Sequence, residues 1–178
     1  MKSDPAQIKL SHRSRSAAGL ARLVLVVALC LSDRSGFAAE TSGVVGLWKL
    51  VSYQIEVQAT GEKAAIMGER PSGYATFSSD GRVFFMLTGD GRKPAKTDLE
   101  RAELLNTLVA YTGMYRIEGD RWITKVDVAW NPEWVGTEQV RSFKIEGDQL
   151  QVFSPWRVMP NWAEKGTTRS IVTFERTK

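Results

Sequence analysis

The sequence predicts an all-β fold, an eight-stranded antiparallel up-and-down barrel with one short helix between its third and fourth strands. Three observations carry this. After Gly46, apolar and polar residues alternate with a period of two over much of the chain. Tight glycine-containing turns punctuate it at Ser79-Asp80-Gly81, Glu118-Gly119-Asp120 and Glu146-Gly147-Asp148. The remaining connections are long and alternate with the tight ones, so a meander places all tight turns at one end and all long loops at the other. The expected shape is a cup, closed below and rimmed by loops above.

The first strand is expected over 47–57. Trp48 and Leu50 share one parity there and Val51, Tyr53, Ile55 and Val57 the other, so a bulge should switch its face. Strands follow at 73–78, 82–88, 111–118, 121–130, 137–146, 149–156 and 169–176. The clearest alternation sets Trp122, Thr124, Val126, Val128 and Trp130 on one face, with Ile123, Lys125, Asp127 and Ala129 opposite. In the seventh strand Leu150, Val152, Ser154 and Trp156 share a face; in the eighth, Val172, Phe174 and Arg176 do. Thr97-Asp98-Leu99-Glu100 has capping-box spacing, and Leu99, Ala102, Leu105, Leu108 and Val109 recur at helical intervals, predicting a helix over 98–110 whose apolar face must be covered.

The front of the chain has another character. Lys2, Lys9, Arg13, Arg15 and Arg22 precede an apolar run from Leu23 to Leu31, and Gly36, Ala38 and Ala39 follow. This is the order of a secretory signal peptide, with cleavage expected after Ala38 or just beyond, at Ala39. The domains are therefore a signal peptide, 1–38, and a barrel, 39–178, of a periplasmic or secreted protein. Nine apolar residues fall short of the roughly 20 that span a bilayer, so no permanent membrane anchor is expected. Leu29 stands where a small residue should precede a lipidated Cys30.

Of 24 basic and 20 acidic residues, the first 38 positions hold six and two, leaving 18 of each sign in the mature part. The basic pI of about 9.3 thus comes from the leader, and nucleic acid is not an expected partner. The same cut removes the single cysteine, Cys30, and the single histidine, His12. A chain without either cannot build a disulfide, a Cys/His zinc site, a His- or Cys-ligated haem, or a Ser-His-Asp or Cys-His nucleophile. No metal and no cofactor is expected.

Aromatic residues crowd the loop-rimmed end: Trp130 and Trp134 flank Asn131-Pro132-Glu133, and Trp156, Met159 and Trp162 lie in or near the last long connection. These rings either plug the barrel or line a ligand mouth. Arg141 shares its parity with Phe143 and Ile145, the apolar side of its strand. An inward guanidinium needs compensation. Either a carboxylate or backbone carbonyls supply it, or Arg141, helped by Gln139, anchors the acidic or carbonyl head of an otherwise apolar ligand. Tyr111 and Tyr115 share a parity with Ile117 and are candidate inward residues, for the core or for the ligand. Asp127, on the polar face, reads as solvated.

Gly46-Leu47-Trp48 at the start of the first strand resembles the lipocalin Gly-x-Trp signature. The longer pattern is Pro71-Ser72-Gly73-Tyr74, Ser79-Asp80-Gly81-Arg82, Tyr111-Thr112-Gly113-Met114-Tyr115, the run from Asn131 to Arg141 and Glu146-Gly147-Asp148-Gln149-Leu150. From about Val44 to the end, the chain resembles the bacterial and fungal lipocalin-like domain family. The resemblance implies a calycin-type eight-stranded barrel in which Trp48 packs across the closed end beneath an arginine of the last strand, here Arg176. The expected function is binding of a small apolar or amphipathic molecule. Two alternatives stand beside it: a histidine-free isomerase or cyclase, which calls for an inward carboxylate near Arg141, and an interaction module using the Trp-rich rim, which calls for a filled barrel.

The intact mass of the protein recovered from its own host tests the leader. A chain beginning at or next to Ala39 is expected; retention of Met1, or a lipid on Cys30, contradicts it.

Overall fold

The computed structural model describes residues 43–178, apart from the side chains of residues 160–162. The segment read as a signal peptide and the Trp162 ring lie outside that description.

The elements, in order, are β1 (Gly46–Val57), β2 (Lys63–Ala64), β3 (Ser72–Phe77), β4 (Arg82–Thr88), α1 (Asp98–Asn106), β5 (Leu108–Glu118), β6 (Arg121–Ala129), β7 (Glu138–Glu146), β8 (Gln149–Phe153), β9 (Arg157–Val158) and β10 (Thr167–Arg176). All pairings are antiparallel. The order β1-β3-β4-β5-β6-β7-β8-β10 returns to β1 through a β1–β10 ladder, closing an eight-stranded barrel; the two-residue strands β2 and β9 extend β1 and β10. Closure leaves no free edge along the barrel wall.

The β1–β10 ladder runs from Trp48 opposite Arg176 to Val57 opposite Thr168. Its register slips at Val51, which has no partner, and the slip switches the inward set from Trp48 and Leu50 to Tyr53 and Ile55. Val51 itself is exposed. At the closed end the Arg176 guanidinium lies 4.1 Å over the Trp48 ring. Trp48 Nε1 donates to the Val44 carbonyl at 2.7 Å, and Arg176 donates to the carbonyls of Val45 and Gly43 at 3.0 and 2.8 Å. The chain thus crosses the barrel end before entering β1. Gly46, at φ +134°, permits the crossing, since a Cβ there would lie 3.1 Å from Arg176 Nη1.

Three sequence expectations are corrected. The alternation of β6 stops at Val126: a bulge at Asp127 turns Val128 out to solvent, and Ala129 takes the inward position opposite Tyr111. Its cause lies across the ladder at Gly113, where a Cβ would meet the Lys125 carbonyl oxygen at 1.9 Å, so only glycine lets the strands approach this closely. Asp127 is left outside, paired with Arg82 at 2.8 Å.

The helix ends at Asn106 rather than at 110. Leu108, Val109 and Ala110 pair with Thr88, Leu87 and Met86, and the ladder bonds prevail over helical periodicity. Nor is its apolar face covered: Leu99 and Leu105 are exposed, and none of its residues is buried. Polar ties hold it instead. Thr97 and Glu100 form the reciprocal capping box, which holds the Glu100 carboxyl below its ordinary value through the backbone N–H groups of Lys96 and Thr97. Arg92 donates to the carbonyls of Leu104 and Thr107, both at 2.9 Å.

The seventh expected strand stops at Phe153, because Pro155 has no N–H to give the ladder. Trp156 consequently leaves the inward face.

Trp48→Ala is expected to destabilise the barrel by about 3–5 kcal/mol, the range for large aromatic truncations in cores, with cation–π contact adding roughly 0.5–2 kcal/mol to the area lost. Chemical denaturation of the variant measures it; an unchanged midpoint would show that the closed end does not depend on this ring.

Candidate ligand-binding site

Inward residues fill the barrel unevenly. Toward the tight-turn end, Phe77 packs edge-on against Phe85, Tyr115 and Trp122 at centroid distances of 5.8, 5.2 and 4.9 Å. Trp48, Val83, Leu150 and Phe174 complete a solid floor. Above it, toward the long loops, Tyr111, Trp134 and Trp130 pack in a chain and leave space beside them. A cavity of about 110 Å³ remains. One water needs roughly 10–15 Å³ of such space, so it exceeds what a single buried water occupies.

The cavity has two unlike walls. Met67, before β3, with Phe85 and Leu87 on β4 and Leu108 and Val109 on β5, form an apolar side. Facing it, the run of strands from β7 through β8, β9 and β10 to β1 contributes Arg141, Ser154, Arg157, Ser170 and Tyr53. Trp122 and Phe174 lie at its base, and Trp130, Trp134 and Met159 stand toward the loops.

Arg141 lies directly across the ladder from Trp122. Its guanidinium donates to the Val140 carbonyl at 2.7 Å and to Gln139 Oε1 at 3.1 Å, and Gln139 is oriented in turn by Thr137 Oγ1 at 3.2 Å. Among the described residues, no carboxylate lies within ion-pair distance of Arg141. Arg157, on β9, donates to Met159 Sδ at 2.9 Å. Its guanidinium is held below the usual arginine range by partial burial and by the charge on Arg141, with Tyr53 acting in the opposite sense.

Tyr111 is buried, stacked on Phe85 at 4.7 Å and edge-on to Trp134 at 5.8 Å. Burial pushes its phenol up to about 12; the Arg141 charge draws it down, and Tyr53 adds to the rise. Trp130 packs edge-on to Trp134 at 5.9 Å. The Nε1 atoms of Trp122 and Trp130 are buried without a hydrogen-bond partner among the described residues, and both residues line the cavity. Among the described residues its charged members are both cations, and no aspartate, glutamate or histidine lines it.

Of the residues singled out from sequence, Tyr111, Trp130, Trp134 and Arg141 meet on this cavity, and Gln139 supports Arg141 from the next inward position. Tyr115 is placed elsewhere. It lies in the closed-end core with its hydroxyl donating to the Ser78 carbonyl at 3.1 Å, and burial raises its phenol. Trp156 is on the outer wall beneath the Arg169 guanidinium, at 4.6 Å, and the same guanidinium lies 5.2 Å from the Phe153 ring and pairs with Glu56 at 2.6 Å.

Sequence reasoning named neither Tyr53 nor Arg157 as a site residue. The expected bulge did place Tyr53 on an inward parity, whereas Arg157 read as loop and no signal in the local pattern marks it.

A family model described as a lipocalin-like domain matches residues 45–177. No curated protein matches the chain.

The Tyr111 phenol gives an alkaline signature. Its folded value lies above the ordinary 10.0, so on raising the pH the unfolded chain loses its proton first. Stability is therefore complete below about pH 10 and falls toward about pH 12, by at most about 1.4 kcal/mol per pH unit. Denaturant unfolding across this window should show a shallower fall for Tyr111→Phe; an identical slope would place Tyr111 in a solvated setting.

Proposed function

The chain belongs to the lipocalin-like domain family, and on that premise we propose that it is a carrier for a small amphipathic molecule with an apolar body and an acidic or carbonyl head. A lipocalin-like barrel fits small-molecule binding, since an eight-stranded barrel leaves an interior that side chains either fill or leave open for one ligand. The observation that carries the reading is Arg141: a cation on the inner wall of a mostly apolar cavity, hydrogen-bonded to neutral oxygens and without a carboxylate partner among the described residues. The apolar β4–β5 wall suits the body of the ligand and the Arg141 side its head. Trp130 and Trp134 are rigid apolar contacts toward the loops.

Two further observations favour a carrier over the alternatives. An isomerase or cyclase of the kind considered above calls for a carboxylate beside Arg141, and the cavity wall has none among the described residues. A rim serving only as a protein contact calls for a filled interior, and this interior is open. The reading extends to location: the basic start, apolar run and small residues before Glu40 support export to the periplasm or beyond.

Binding is expected to quench tryptophan fluorescence. Arg141→Met keeps length and removes charge, and should weaken octanoate by about 1.5–3 kcal/mol, the range for hydrogen bonds to charged groups, while scarcely changing binding of octane. Equal weakening of both would assign Arg141 a purely structural role.

A further inference from the structure

The acidic-head reading accounts for one guanidinium of the cavity and leaves the other. Arg157 lies on β9, a two-residue strand fixed to β10 through the pairs Thr167–Val158 and Thr168–Arg157. It lines the same cavity as Arg141, and its assigned protein acceptor is Met159 Sδ, a weak one. Each guanidinium carries five N–H donors, of which Arg141 uses two kinds of contact, to Val140 and Gln139, and Arg157 one. Trp130 Nε1 adds a buried donor on the same cavity, without a partner among the described residues. Such a wall asks for acceptors and for negative charge.

Arg157 is exposed and also lines the cavity, so a ligand seated beside it displaces part of the water that solvates it. If the head holds a single charge, neutralising Arg141 leaves Arg157 partly desolvated without a counter-ion. A head with two negative charges answers both guanidinia, whose planar forks match phosphate and carboxylate oxygens. Resting on the carrier reading above, we infer that the site takes an amphiphile whose head carries two negative charges at neutral pH, held between Arg141 and Arg157. Phosphate monoesters and dicarboxylates share this chemistry.

Octyl phosphate and octyl sulfate separate charge from size. The phosphate passes from one charge to two between about pH 5 and about pH 8, since its second pKa lies near 6, whereas the sulfate stays singly charged. No histidine or carboxylate lines the cavity among the described residues, so the pH step acts there on the probe. Titration by calorimetry of the full chain should show octyl phosphate tightening roughly tenfold over that step, with octyl sulfate unchanged. Arg157→Met should abolish the tightening of octyl phosphate and Arg157→Lys should restore part of it, with octyl sulfate showing no pH step in either variant. Matching pH dependence for the two probes, or a tightening that survives in Arg157→Met, overturns the two-charge head while leaving the carrier intact. Failure of both probes to bind at either pH overturns the carrier reading, and this inference with it.

Discussion

Pairing of β1 with β10 is the constraint on which the rest of the structure depends. An open meander would expose two edges and could splay or pair with another chain; closing it through the ladder from Trp48–Arg176 to Val57–Thr168 fixes the diameter and forces every second side chain into a shared interior. At the closed end this ladder is finished by the Arg176 guanidinium on Trp48 and by its bonds to the carbonyls of Gly43 and Val45. At the other end the same ladder carries Tyr53 opposite Val172 and Ile55 opposite Ser170, setting Tyr53, Val172 and Ser170 on the cavity. One pairing therefore both seals the base and positions part of the binding wall.

Once the barrel is closed, its contents follow from side-chain size and polarity. Phe77, Phe85 and Trp122 occupy the lower interior by edge contacts, and Tyr115 is tied there through its hydroxyl to Ser78. Above them Trp134 packs on both Trp130 and Tyr111, and these rings narrow the cavity without filling it. The cations on the opposing run of strands give this space a polarity that a purely hydrophobic store would not require. Its direction is set by donors: two arginines and two indole N–H groups, with no acid among the described lining residues.

Much of this was legible in the chain. The β1 bulge followed from a parity change between Leu50 and Tyr53, the capping box from Thr97 and Glu100, and the inward direction of Arg141 from its spacing with Phe143 and Ile145. What was not legible depended on partners distant in sequence. The pattern of β6 reads unbroken through Trp130, and only the close approach of Gly113 to Lys125 explains why it breaks at Asp127. Leu108 and Val109 satisfy helical and strand periodicity alike, and the β4 ladder decides between them. Pro155 could have warned that Trp156 would leave its strand, whereas nothing adjacent to Arg157 shows that β9 brings it to the cavity.

The central claim is that Arg141 holds the head of a ligand inside the barrel, and native mass spectrometry of protein purified from its own host tests it most directly. The account predicts a bound small molecule that is released as an anion and is absent or strongly depleted in Arg141→Met protein prepared alongside. Full retention of the same molecule by the Arg141→Met protein would contradict it.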